Sequence, residues 1–379
     1  PAILELTTLD GSNGFVINGE NSFDYSGRSV SAAGDVKGDG LSDVLIGARR
    51  ADLGVYNDDA GKSYVVFGRD TAADGDFPAV IELSELDGGN GFVVNGAKQQ
   101  DQSGFSVSDA GDVNGDGVAD LLIGAPYARP NRVRSGASFV VFGIKPNVFP
   151  PLVDLSDLDG GNGFAMNGTD EDHASGFSVR DAGDLNGDGI DDVIVGAPEA
   201  NRDVGDDERG ASYVVFGRAT ETDGDFLAEL ELSSLDGRNG FVLYGAGAED
   251  ESGDAVSGAG DLNGDGIDDL AIAAPDSAFT AVLFGRDTAV DGDFPASIEL
   301  GAAFLDGDNG FRLQGAGSTS VSDAGDVNND GLADLLIGAS EAEPNGEDSG
   351  ESYVVFGRDT ASEGNFPAIL PLSSLDGGN

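Results

Sequence analysis

The stretch GDVNGDGVADLLIGAP, residues 111–126, joins a polar loop directly to an apolar run. The loop places three aspartates and one asparagine within nine residues. Four related stretches occur elsewhere: GDVKGDGLSDVLIGAR from Gly34, GDLNGDGIDDVIVGAP from Gly183, GDLNGDGIDDLAIAAP from Gly260 and GDVNNDGLADLLIGAS from Gly325. The leading aspartates are 77, 72, 77 and 65 residues apart. Repetition on this scale indicates an array, a solenoid or a propeller.

The segments around each aspartate loop read as short strands. In the second repeat they are GFVVNG, SGFSVSDAGDV, ADLLIGA and ASFVVFG. Such β-branched or aromatic runs, bounded by Gly, Asp and Asn, are typical of strands, and no segment has a sustained helical period. Four short strands per repeat predict an all-β fold, a β-propeller of four-stranded blades, with residues 1–379 forming a single domain.

The count of strands predicts how the propeller closes. Five outer-strand segments, GFVING, GFVVNG, GFAMNG, GFVLYG and GFRLQG, accompany five sets of inner strands. The first outer strand, residues 14–19, precedes every set, and the last set ends at Gly357. We therefore expect the N-terminal strand to complete the last blade and close a five-bladed ring. The alternative is that the five repeats are part of a seven-bladed ring.

A link segment that leads into Leu-Asp-Gly occurs six times, although a ring of five needs five copies. The first copy begins at Ala2 and the last, AILPLSSLDG, at Ala368. A displaced last copy would expose Ile369, Leu370 and Leu372 and could add to a sheet edge of another molecule. This predicts self-association through the terminal segments, toward filaments or a surface layer. Alternatively, the sixth copy begins the next repeat of a longer protein.

The aspartate loops have the side chains of a metal site. Oxygens at loop positions 1, 3 and 5 can converge on one point, Gly at position 6 permits a sharp turn, position 7 can offer its carbonyl, and position 9 is a further Asp. This all-oxygen set suits Ca²⁺, whereas Zn²⁺ would need His or Cys. The predicted ligands are Asp35, Asp39, Leu41, Asp43, Asp112, Asn114, Asp116, Val118, Asp120, Asp184, Asn186, Asp188, Ile190, Asp192, Asp261, Asn263, Asp265, Ile267, Asp269, Asp326, Asn328, Asp330, Leu332 and Asp334.

The five loops are not equivalent. Lys37 stands at position 3 of the first loop, where an ammonium group would oppose a cation, so we expect four Ca²⁺ sites and a weak or absent fifth. The third and fourth loops carry an extra acid, Asp191 and Asp268, which we expect to face solvent. The alternative for every loop is a metal-free polar turn, since Asp, Asn and Gly favour turns unaided.

Composition narrows the classes of partner. The chain has 70 acidic and 19 basic residues, a formal net charge of −51, which excludes nucleic acid and an anionic membrane surface as expected partners. No apolar run approaches the length of a membrane span. With no cysteine, a secreted chain would depend on its core and on metal for stability. We expect a mature or partial chain located outside the cell or on its surface.

The repeats resemble the FG-GAP repeats of the integrin alpha-chain β-propeller and its bacterial relatives. The matching features are the DxNxDGxxD loops, the Gly-Ala-Pro that follows at 124–126 and 196–198, and the closing VVFG segments. The other repeats depart from this pattern with GAR, AAP and GAS. The resemblance implies a propeller with Ca²⁺ in loops between the first and second strands of a blade. It also implies seven blades, whereas this chain has five repeats.

These observations together predict a secreted or surface-displayed, calcium-binding structural or adhesive module. Its expected partners are other proteins or cell-surface components. The alternative is a ligand-binding propeller that recognises carbohydrate or protein. We do not expect an enzyme, because His173 has no Ser, Cys or carboxylate constellation around it in the sequence.

Overall fold

The computed structural model describes residues 5–54, 58–144, 149–201, 208–315, 317 and 319–375. Its strands, in chain order, are β1 Val16–Asn18, β2 Ser29–Ala32, β3 Val44–Ala48, β4 Lys62–Val66, β5 Val80–Glu82, β6 Gly91–Asn95, β7 Ser106–Asp109, β8 Leu121–Ala125, β9 Ala137–Val141, β10 Leu152–Asp154, β11 Gly163–Asn167, β12 Ser178–Gly183, β13 Asp192–Ala197, β14 Ala211–Val215, β15 Glu229–Glu231, β16 Gly240–Tyr244, β17 Val256–Gly260, β18 Asp269–Ala274, β19 Phe279–Leu283, β20 Ser297–Glu299, β21 Gly310–Gln314, β22 Ser320–Gly325, β23 Asp334–Ala339, β24 Glu351–Val355 and β25 Ile369–Pro371.

The helices in the described residues are short and lie in the links between repeats. They are α1 Thr71–Asp74, α2 Thr220–Asp223, α3 Thr288–Asp291 and α4 Thr360–Glu363. Single 3₁₀ turns occupy Leu6–Thr8, Leu83–Glu85, Leu155–Asp157, Leu232–Ser234, Pro275–Ser277 and Leu372–Ser374. The fold is therefore all-β. In the described residues the helical turns lie in the links between blades, except Pro275–Ser277, which connects β18 to β19 within one blade.

The strands form five consecutive blades of a propeller-like fold. The first four are five-stranded sheets, with the orders β2-β3-β4-β6-β10, β7-β8-β9-β11-β15, β12-β13-β14-β16-β20 and β17-β18-β19-β21-β25. The fifth blade has three strands, β22-β23-β24. The inner strands β2, β7, β12, β17 and β22 pack against one another in that order. The inner strands of successive blades are thus neighbours, as expected for the propeller that the sequence predicts.

The prediction of four strands per blade missed a fifth strand. In the first blade β2, β3, β4 and β6 are antiparallel neighbours, and β10 adds to the outer edge of β6 in parallel register. β10 comes from the link of the next repeat, and β15, β20 and β25 are added in the same way. The strand in each of these links therefore pairs with the outer strand of the preceding blade. The chain then continues into the outer strand of the next blade.

The hydrophobic core lies between neighbouring blades. One cluster joins Val140 of the second blade to Val195 and Tyr213 of the third, and similar clusters join the other adjacent pairs. At each of these junctions three phenylalanines meet, which we call an aromatic triad. The triads are Phe67/Phe92/Phe149, Phe142/Phe164/Phe226, Phe216/Phe241/Phe294 and Phe284/Phe311/Phe366. Each ring of a triad comes from a different segment, so the triads hold strand, outer strand and link together.

The five-bladed ring expected from the N-terminal strand is not closed in this structure. Among the described residues β1 pairs in parallel with β5, and β24 pairs with β23 alone. Because each link reaches back one blade, β1 and β5 are the outer pair of a blade that would precede the first one. The five blades form an open series, and membership of a seven-bladed ring remains a prediction.

The last copy of the link is not displaced, so the prediction of a free C-terminal donor segment is wrong. β25 pairs with β21, with Ile369 opposite Arg312. Leu370 and Leu372 are 8% and 3% exposed, and only Ile369 is substantially exposed, at 38%. Six copies of the link do not compete for five places, because each docks on the blade before its own. Residues 2–4 of the first copy lie outside the described residues.

Candidate metal-binding loops

The aspartate loops connect the inner strand of each blade to its second strand. The turn depends on glycine at position 6, where the backbone φ is positive in all five loops, from +80° at Gly117 to +93° at Gly331. Glycine adopts this region without the steric cost of a Cβ atom. The sequence prediction of a sharp turn at this position is confirmed.

The side chains at positions 1, 3 and 5 hold the loop in one curl. In the second loop Asp112 accepts hydrogen bonds from the backbone N–H groups of Asp116 and Gly117, at 3.0 and 2.7 Å. Asn114 accepts from the same Asp116 N–H at 2.9 Å, and Asp116 accepts from Val118 at 2.9 Å. The third, fourth and fifth loops repeat these bonds. Three of the predicted ligand side chains are therefore gathered around a single backbone turn.

The aspartate at position 9 anchors the loop to its own blade. Asp120 is fully buried and accepts from Val113 N–H at 3.0 Å and from Gly143 N–H, just after β9, at 2.9 Å. Burial raises the pKa of Asp120 well above its usual range, and the same holds for Asp192 and Asp269. This residue links the loop to the end of the third strand of the blade.

The donor chemistry of the second to fifth loops fits a hard cation. Each loop offers carboxylate and amide oxygens only, the ligand set that Ca²⁺ prefers. Within the described ranges no three His, Cys, Asp or Glu side chains converge closely enough to hold a metal ion. The carboxylates instead accept from N–H groups of their own loop, so ion binding would require some of these oxygens to reorient.

The first loop does not fit a cation. The Lys37 ammonium forms an ion pair with Asp39 at 2.9 Å and lies 5.2 Å from the centre of the Phe67 ring. Asp43 is buried, and its Oδ2 atom has no hydrogen-bond partner in the described part of the chain. Burial raises the pKa of Asp43 to about 6. A positive side chain thus already neutralises a carboxylate that a metal ion would need.

The next blade covers the middle loops, a feature that the sequence analysis missed. Thr288 donates its backbone N–H and its Oγ1 hydroxyl to the carbonyl of Asn186, at 3.0 and 3.2 Å. Thr220 and Thr360 cap Asn114 and Asn263 in the same way. The signal was present in the recurrent Gly-Arg-x-Thr of the links, which reads as an ordinary helix start.

The extra acids of the third and fourth loops do not face solvent as predicted. Asp191 accepts from the backbone N–H of Asp112 at 2.7 Å, and Asp268 accepts from that of Asp184 at 3.0 Å. Each acid therefore binds the first residue of the loop in the preceding blade. Burial raises the pKa of Asp268, consistent with this enclosed position.

The opposite ends of the same strands carry aromatic and basic side chains. The Arg49 guanidinium lies 5.1 Å from the Phe105 ring centre and 5.8 Å from that of Tyr25, which is 49% exposed. Phe105 also contacts Phe177, at 5.1 Å between ring centres. Arg50, which is exposed, lies 5.6 Å from Tyr25. We call this set the arginine–aromatic surface.

His173 is held inside the fold. It is 6% exposed, its Nε2 accepts from the backbone N–H of Asn201 at 3.3 Å, and its Nδ1 lies 3.1 Å from the Thr169 hydroxyl. Burial lowers the pKa of His173, which favours the neutral ring. Both ring nitrogens are thus engaged in structural contacts.

The fold and its loops define an FG-GAP repeat protein. The FG-GAP repeat model matches residues 26–66, 105–141, 181–215, 252–292 and 318–355. Each matched segment contains the aspartate loop of one repeat and the two strands that follow it, and all but 181–215 also contain the whole strand before the loop. The chain belongs to the FG-GAP repeat family.

Several curated integrin alpha chains are similar to this chain. Integrin alpha pat-2 of Caenorhabditis elegans is 30% identical over 283 residues, 71% of this chain and 19% of that protein. Integrin alpha-V of Gallus gallus is 30% identical over 270 residues, 70% of this chain and 21% of that protein. The match thus spans about a fifth of the length of these relatives. None of the helices in the described ranges is long and apolar enough to cross a membrane.

Proposed function

We propose that this chain is an extracellular or surface-displayed adhesive propeller module that Ca²⁺ stabilises. The observation that carries the proposal is the position of the aspartate loops at the junctions between blades, where Thr220, Thr288 and Thr360 of the next blade cap them. An ion held in such a loop would stabilise both the loop and the blade packed on it. Extracellular modules bind Ca²⁺ with dissociation constants of roughly 10⁻⁴–10⁻³ M.

The second to fifth loops would hold the ion, and the first would not. In each of the four, the aspartates and asparagine at positions 1, 3 and 5 would supply side-chain oxygens, with the residues at positions 7 and 9 completing the predicted set. The bound cation would offset the repulsion between carboxylates in a chain with a net charge of −51. In the first loop the Lys37–Asp39 ion pair takes over that role.

The arginine–aromatic surface is the region we propose for partner binding. This chain has 70 acidic and only 19 basic residues, so a cluster of arginines beside partly exposed rings offers a local site for an anionic partner. Membership of the FG-GAP family and similarity to integrin alpha chains favour a protein or cell-surface component. A carbohydrate is the second candidate, because Phe105 and Phe177 stand at equivalent positions of two repeats and could stack on sugar rings.

A binding assay with two charge-reversal variants tests this proposal. We expect Arg50→Glu to weaken binding of the immobilised protein to cell surfaces or matrix proteins. The matched control is Arg238→Glu, which makes the same change in the turn before β16 and should leave binding unchanged. A glycan array distinguishes the two candidate partners. Equal binding by both variants and the unsubstituted protein would remove this surface from the proposal.

A further inference from the structure

Consecutive aspartate loops contact each other through loop position 8, the residue between the predicted position-7 and position-9 ligands. In the third loop this residue is Asp191, which accepts a hydrogen bond at 2.7 Å from the backbone N–H of Asp112, position 1 of the second loop. In the fourth loop it is Asp268, which accepts at 3.0 Å from the N–H of Asp184, position 1 of the third loop. We call Asp191 and Asp268 the bridging acids. They join the second, third and fourth loops in series.

The bridging acids fit closely against the loop that they contact. A Cβ atom added to Gly111 would collide with the Asp191 side chain, and one added to Gly183 would collide with that of Asp268. The glycine before each first ligand therefore allows a carboxylate to reach the backbone N–H of that ligand. The contact is specific to this pair of positions in adjacent loops.

Two other loops show the same junction without the acid. Position 8 is Ala119 in the second loop and Ala333 in the fifth. The backbone N–H of Ala333 donates to the carbonyl of Asp261 in the fourth loop at 3.1 Å, so these two loops still touch. An alanine methyl group cannot accept a hydrogen bond from the first ligand. The bridging carboxylate is therefore confined to the junctions between the second and third loops and between the third and fourth loops.

Each bridging acid is both held and repelled by the loop that it contacts. Asp268 accepts from the Asp184 N–H, yet the Asp184 side chain carries a charge of the same sign. Burial raises the pKa of Asp268, and the Asp184 carboxylate acts in the same direction. A cation in the third loop would offset this repulsion and favour the hydrogen-bonded position of Asp268. Because Asp268 lies between Ile267 and Asp269, this position is tied to two predicted ligands of the fourth loop.

Building on the proposed function, we infer that the second, third and fourth loops bind Ca²⁺ cooperatively, with Asp191 and Asp268 as the positioning residues that couple them. An ion in one loop favours the hydrogen-bonded bridging acid, and the hydrogen-bonded acid favours the ion-binding form of the adjoining loop. The coupling is reciprocal, because linkage between two binding sites acts equally in both directions. The fifth loop, with Ala333 at position 8, binds its ion without this coupling.

A double-mutant cycle tests the coupling. Calcium is titrated while hydrogen exchange of the second loop, residues 111–120, is followed by mass spectrometry of its peptide. Asp188→Asn impairs the third loop at position 5, and we expect it to raise the calcium midpoint of the second loop about fivefold, at the lower end of the usual range for coupled sites. In the Asp191→Ala background the same substitution should cause no further shift. Alanine occupies this position in two other loops, so the Asp191→Ala variant should fold.

The fifth loop provides the matched control. Asp330→Asn makes the same change at its position 5 and should leave the calcium midpoint of the fourth loop, residues 260–269, unchanged. Ala333→Asp introduces a bridging acid at this junction and should make the fourth loop respond to Asp330→Asn. A further readout needs no calcium. In the ion-free protein, Asp191→Ala should speed exchange of the Asp112 amide several-fold, because that N–H loses its acceptor.

The outcomes separate this inference from the proposed function. If calcium still protects the second loop but Asp188→Asn leaves its midpoint unchanged, the coupling is overturned and the proposed function stands. An equal shift by Asp188→Asn with and without Asp191 would overturn the role of the bridging acid in the same way. If calcium changes exchange in none of the loops, the proposed function fails and the coupling fails with it.

Discussion

The junction between the third and fourth blades and the free side of the fifth blade contain the same residue types in different surroundings. At the junction, Asn186 is 3% exposed beneath Thr288, and Phe241 is fully buried in its triad. On the fifth blade Asn328 is exposed, and Val327 beside it is 58% exposed, although its counterpart Leu185 is fully buried. The comparison teaches that a blade does not bury its own aspartate loop. The following blade does so.

Removal of calcium should have the largest effect on the stability of the junctions between blades. Ligand at 100 times its dissociation constant stabilises the folded state by about 2.7 kcal/mol per site, so four sites would contribute about 11 kcal/mol. We expect a chelator to lower the melting temperature far more than an equal ionic strength of sodium chloride does. An unchanged melting temperature in excess chelator would count against metal at the junctions.

Removal of a triad phenylalanine should have a smaller effect, and it should lower the unfolding free energy more at the junction than at the open end. Phe241→Ala removes a fully buried ring and should cost about 3–5 kcal/mol of unfolding free energy. Phe15→Ala removes the equivalent outer-strand ring at the open end, where it is half-buried and stacks on Phe77, and should cost about 1 kcal/mol. Denaturant midpoints measure both. Similar losses for the two variants would show that the junctions do not add stability to the triads.

Substitution of the capping threonines should give the smallest difference in stability between a junction and the open end. Thr288→Val removes the hydroxyl that bonds the carbonyl of Asn186 and should cost about 1 kcal/mol. Thr71→Val makes the same change at the first position of α1, where the threonine is exposed, and should be near neutral. Thermal melts of the two variants compare an occupied cap with an open one. A larger loss at Thr71 would contradict the account of the caps.

Local features of the fold could be predicted from the sequence because they depend on neighbouring residues. The segment ADLLIGA predicts a strand and forms β8, and Gly at loop position 6 predicts the turn that Gly117 makes. The link strands were missed because a three-residue segment, such as the Leu-Val-Asp of β10, does not indicate a partner in the preceding blade. Asp191 was misassigned to solvent for the same reason, since the N–H that it binds belongs to a residue 79 positions away.

Closure of the ring shows the same limit. Counting strands correctly identified β1 as an outer strand. The count could not show that the strand in each link pairs with the blade before it. This pairing between repeats decides which strands remain unpaired, and it depends on residues that are far apart in the sequence. At the candidate sites, residue types predicted which loop differs, and the structure supplied the reason through the contact of Lys37 with Asp39.

Counting bound calcium per chain tests the central claim most directly. After equilibrium dialysis, the unsubstituted protein should hold four Ca²⁺ ions, one in each loop except the first. Lys37→Asn restores the asparagine found at this position in the other four loops and removes the ion pair with Asp39, so this variant should hold five. Fewer than four ions in the unsubstituted protein, together with no gain in the Lys37→Asn variant, would contradict the account.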